Sequence, residues 1–107
     1  MRITKGPPLP RTAREAVILS RDQAESLALQ ALAFLAVDNE RIQRFLQLTG
    51  LDPADLPALA REPGFLLAVL DHLAGDELLL VSFAQELQLK PETIGFARRA
   101  LGGGDMV

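Results

Sequence analysis

The chain has 107 residues, a formal net charge of −3, 49% hydrophobic and 5% aromatic content, and neither Cys, Trp nor Tyr. That length supplies one core, and the lack of Cys removes disulfide frameworks, thiolate metal sites and Cys nucleophiles from consideration. With 21 Leu, 15 Ala and only five Phe, the apolar residues are the strong helix formers, so an all-α fold follows.

The charge is unevenly spread. Residues 1–14 hold Arg2, Lys5, Arg11 and Arg14 without an acid, a charge of +4 that leaves −7 on the rest. Phosphate binding needs clustered Lys and Arg, which argues against nucleic acid as a partner of the folded part. Gly6, Pro7, Pro8 and Pro10 deny this stretch a helix, so residues 1–19 are expected to form a flexible basic, Pro-rich arm. No apolar run before residue 15 suits a secretory signal. The longest greasy segment, 27–37, is broken by Gln30 and is about half the ~20 residues a bilayer requires. A cytoplasmic location and no membrane contact are therefore expected.

Residues 20–102 read as a single helical domain of five to six short helices, and 103–107 as a flexible tail. Ser20 with Gln23 forms a capping-box pattern that opens the first helix, which runs to about Val37. Its apolar residues lie nearly all round, predicting the central, buried helix. Asp38 caps a second helix to Thr49, with Gly50 placed for a left-handed end. Asp52-Pro53 starts a short third helix. Pro63-Gly64 is read as a break, and a fourth helix is expected from Phe65 to Ala74. Asp76 caps a fifth, Glu77 to Leu87, and Pro91 opens a sixth. Gly95 inside that last helix costs about 1 kcal/mol relative to Ala, which suggests a close approach by another helix, in this chain or a second one.

Laid on itself at an offset of 38, the chain repeats. Between 27–61 and 65–99, ten of 35 pairs are identical, including Asp38/Asp76, Phe45/Phe83 and Pro53/Pro91, where composition alone gives about three. Two related halves, each a helix, a helix and a short helix, are expected to bury one another.

Polar residues outside the shared pattern, Asp71, His72 and Glu77, are the better candidates for function, and Asp76 lies among them. Asp71, His72, Asp76 and Glu77 span the end of one helix and the start of the next, and three carboxylates with an imidazole could hold a hard divalent ion or supply an acid and a base. The plainer reading has His72 favoured by the helix C-terminus, Asp71 paired with it or facing solvent, and Asp76 and Glu77 favoured by the next N-terminus. With no second His, no nucleophile-elbow Ser and no phosphate-cradling Gly loop, no catalytic residue, metal ligand or cofactor is assigned. Arg61, Arg98 and Arg99 could form a basic patch or simply be solvated helix-end charges. Leu78 and Leu79 fall off the Leu80, Phe83, Leu87 stripe and are the candidate interface.

The stretch 27–36, the run Thr49-Gly50-Leu51-Asp52-Pro53, the turn Pro63-Gly64-Phe65-Leu66 and Val69 to Leu73 followed by Gly75-Asp76-Glu77 together resemble a family of small bacterial proteins, the domain of unknown function 3572, over about residues 20–103. The resemblance implies a compact helical domain and no activity. A non-enzymatic interaction or adaptor module that self-associates or binds a protein partner is the leading expectation. The alternative is a metal-ion-dependent enzyme or switch at Asp71, His72, Asp76 and Glu77.

Overall fold

A computed structural model describes residues 19–103, so the expected arm, apart from Leu19, and the tail beyond Gly103 lie outside the described residues. The described residues form α1 (Arg21–Ala36), α2 (Asn39–Thr49), a 3₁₀ turn (Pro53–Asp55), α3 (Leu56–Leu59), α4 (Pro63–Ala74), α5 (Glu77–Leu87) and α6 (Glu92–Ala100). No strand occurs among them, and no helix is long and apolar enough to cross a membrane.

Local chemistry sets most boundaries. The Ser20 hydroxyl accepts from the Gln23 N–H at 3.0 Å while the Gln23 side chain accepts from the Ser20 N–H at 2.9 Å, closing the expected capping box. Asp38 accepts from the N–H groups of Glu40 and Arg41, and Asp76 from that of Leu79, so both repeated aspartates are N-caps. Pro63-Gly64 is not a break: Pro63 is the first residue of α4, where its fixed φ and missing N–H suit the first turn, and the helix starts two residues before Phe65. The third helix is split into a 3₁₀ turn and one α turn, with Pro57 in the first turn of α3.

The 38-residue offset holds in the boundaries themselves. α2 shifted by 38 is α5 at both ends. Gly50, which closes α2 at φ 74°, corresponds to Gln88, which closes α5 in the same left-handed region at φ 57°. Glycine takes that conformation freely and Gln does not, so the second half holds the same turn at a local cost.

The core lies between α1 and α4, flanked by α6, with α2 against α1 and α5 against α4. Leu27, Leu35, Val69, Leu70, Leu73, Phe45, Phe83 and Ile94 are fully buried within it. α1 is central, yet not buried all round: Leu29, Gln30, Ala33, Ala36 and Val37 are exposed along one side, because the helices packed on it leave that face open. Past α6, the Gly103 N–H donates to the Arg98 carbonyl at 2.7 Å.

Gly95 meets no close neighbour. A Cβ built there has no heavy atom within 4 Å, so among the described residues no other helix crosses closely at that point. The Gly95→Ala protein is therefore expected to gain about 1 kcal/mol from helix propensity alone. Chemical denaturation with an unchanged slope and a raised midpoint is the expected result; a loss of stability would show that the site is tighter than its surroundings indicate.

Candidate functional site

Asp71, His72, Asp76 and Glu77 occupy the last turn of α4 and the first turn of α5, at a corner packed beside α2. Asp71 does not pair with His72. One of its carboxylate oxygens lies 2.7 Å from Nε of Arg98 on α6, a charge-assisted bond across 27 residues of chain that the sequence expectation did not contain. Both side chains are partly exposed, so the pair ties α6 to α4 with little net stabilisation. Arg98 is thereby committed, and the Arg99 guanidinium sits 4.8 Å from the centre of the Phe96 ring, so these two do not join Arg61 in a free basic patch.

His72 points inward. Its ring meets Phe45 of α2 edge-on, with centroids 5.0 Å apart and planes at 76°, and its Nε2 is buried without a hydrogen-bond partner. The repeat accounts for this position. Shifted by 38, His72 and Phe45 become Phe34 and Phe83, whose rings lie 5.2 Å apart on the other side of the core. His72 thus fills an aromatic slot that the first half gives to phenylalanine.

Two corresponding clefts flank these ring pairs. One, of about 330 Å³, is walled by Ala33, Phe34 and Val37 of the α1 end and by Phe83, Glu86 and Leu87 of α5. Its counterpart, of about 530 Å³, has Asp71, His72 and Gly75 in place of Ala33, Phe34 and Val37, and Leu48 in place of Glu86. The second cleft is the more polar because Asp71 and His72 replace Ala33 and Phe34 and because Arg44, Asp76 and Glu77 line it as well. Arg44, which sequence reasoning did not group with the cluster, stands beside His72 because its neighbour Phe45 carries the ring contact; the offset linking Phe45 to Phe83 was the only available signal.

The cleft lacks the ligand set that the ion reading requires. Among the described residues, no three His, Cys, Asp or Glu side chains form a group that could hold a metal ion. Asp71 turns to Arg98, Asp76 is spent on the Leu79 N–H, and Glu77 is exposed. Of the candidate interface pair, Leu78 is 81% exposed, whereas Leu79 is half-buried and packs against the core.

Burial holds the His72 imidazole below its usual pKa of 6.5; the nearby Asp76 carboxylate pushes it up and the Arg44 guanidinium pushes it down. In the unfolded chain His72 takes up a proton more readily than in the folded one. The stabilisation from keeping the ring neutral is thus fully present above pH ~6.5 and is lost as the pH falls below that value toward the lowered folded pKa. The expected result is a Tm that drops on acidification through this window, and a His72→Phe variant, carrying the ring of the other half, with a higher Tm and a smaller drop. Thermal unfolding followed by circular dichroism at a series of pH values checks both; an unaltered pH profile in the variant would remove His72 as its source.

A family model described as Protein of unknown function (DUF3572) matches residues 21–104. No curated protein and no solved structure matches the chain.

Proposed function

The chain belongs to the DUF3572 family, and on that premise we propose that it works as a non-enzymatic protein-interaction module that pairs with a second copy of itself through the open face of α1. The observation that carries this reading is that face: Leu29 (44% exposed), Ala33, Ala36 and Val37 (80% exposed) form one apolar stripe on the helix at the centre of the fold. Spacings of three and four residues place them on the same side, with Asp22 and Ser26 continuing the line toward the N-terminus. An apolar stripe on a central helix is a usual mark of an association surface.

The chemistry of the stripe favours a like partner. Two copies related by a two-fold axis present the same patch to each other, and an antiparallel crossing at Ala33 needs only small side chains at its centre, where two backbones approach closely.

Ala33 is exposed, so Ala33→Arg leaves the core untouched while placing two like charges at the crossing. Light scattering behind size exclusion is expected to give a dimer mass for the parent protein at tens of micromolar and a monomer mass for the variant, with matching circular dichroism spectra. A parent protein that runs as a monomer would refute the self-pairing.

A further inference from the structure

We propose that the groove between α3 and α4 is the seat of a helix from a partner protein, which inserts one phenylalanine flanked by basic side chains. The groove is open to solvent, offers about 600 Å³ and is lined mainly by Leu51, Ala58, Leu59, Gly64, Phe65 and Ala68. That volume lies within the range of ligand-binding clefts and suits one large anchoring side chain. The floor is rigid, because the Phe65 ring is already fixed edge-on against Phe45 with centroids 6.0 Å apart.

The repeat indicates what belongs there. The segment that carries Ala58 and Leu59 corresponds, at the offset of 38, to the segment of α6 that carries Phe96 and Ala97, and Phe65 and Ala68 correspond to Leu27 and Gln30 of α1. In the second half this contact is closed: α6 is a nine-residue helix packed along α1. In the first half the chain makes only a 3₁₀ turn and a single α turn, with Pro57 where the other half has Gly95, and Ala58 stands where the other half has Phe96. The first half therefore lacks both the helix length and the ring that the other half carries at the equivalent positions. A partner helix with a central Phe supplies both, in the manner of helix-in-groove recognition.

Charge selects the flanks of that ring. Glu62 lines the groove, and Asp52 and Asp55 stand exposed on the segment that leads into it. Basic residues on either side of the inserted ring complement this edge and steer the encounter. A second copy of this chain is a poorer occupant. Among the described residues Phe34, Phe45, Phe65 and Phe83 are buried, and Phe96 is half-buried beneath the Arg99 guanidinium. Such a copy has no free ring to offer.

Backbone amide spectra of the intact protein test the assignment with a 15-residue Ala/Lys helical peptide bearing one central Phe. The expected result is saturable shifts confined to residues 49–68, weakened at least tenfold when the central Phe becomes Ala or the Lys residues become Glu. Ala58→Phe fills the groove in cis and is expected to raise the Tm and abolish the peptide shifts. Ala58 is exposed, so Ala58→Glu is a second variant that keeps the fold and loses binding. No saturable shifts at millimolar peptide, equal binding of the Phe and Ala peptides, or binding that survives both variants would overturn the proposal. Concentration-dependent shifts at 49–68 in the protein alone would assign the groove to a second copy. Shifts there on Leu9→Glu would assign it to residues 1–18. Either result overturns the partner helix. None of these readings depends on the α1 face, so an unchanged Ala33→Arg protein would still bind the peptide.

Discussion

The fold depends on an exchange of rings between its two halves. Phe83, on the second helix of the second half, lies tilted against Phe34 of the first half's leading helix, and Phe45, on the second helix of the first half, meets His72 of the second half's leading helix. Each half thus places its largest fully buried side chain against a ring belonging to the other, around the shared α1 and α4 layer. Three short helices bury too little apolar surface to offset the entropy of ordering them, so neither half has a sufficient core alone. The interlock joins two marginal units into one domain without a single tryptophan or disulfide.

Near-symmetry of this kind makes departures informative, since a position that one half fills in a given way shows what the backbone tolerates at the other. Three departures stand out. His72 replaces a phenyl ring and leaves Nε2 buried without a partner, which costs stability and links it to pH. Gln88 holds a left-handed turn that Gly50 holds without strain. Ala58 replaces Phe96 in a segment reduced to a 3₁₀ turn and one α turn, and a groove opens there. The first two concern how well the core and its turns are held; the third concerns surface left over once the core is satisfied. Chemistry at the α4–α5 corner fares less well, because its polar side chains are committed to structural tasks: Asp71 to Arg98, Asp76 to a helix cap.

What the residues disclosed in advance were the features set within a few positions of one another. The Ser20 and Gln23 box and the Asp38 and Asp76 caps follow from side chains reaching backbone groups two or three residues away, the Gly50 turn follows from the backbone freedom of glycine, and all are present. Pro63 is ambiguous in sequence because proline stops a helix behind it and also favours one ahead of it, and only the packing of Phe65 and Leu66 into the core selects the second role. The cluster from Asp71 to Glu77 was correctly seen as the place where the halves diverge, but closeness in sequence said nothing about the direction of each side chain.

The sequence by itself therefore determined the helical class, the caps and turns, the repeat and the family, since these rest on local hydrogen bonding, propensity and spacing. Only the tertiary structure decided which partner Asp71 takes, which ring His72 stands in for, that α1 keeps an open apolar face and that a groove remains beside Ala58. Those depend on contacts between residues far apart in the chain. Their directions are set by how helices pack against each other, and no local pattern encodes that.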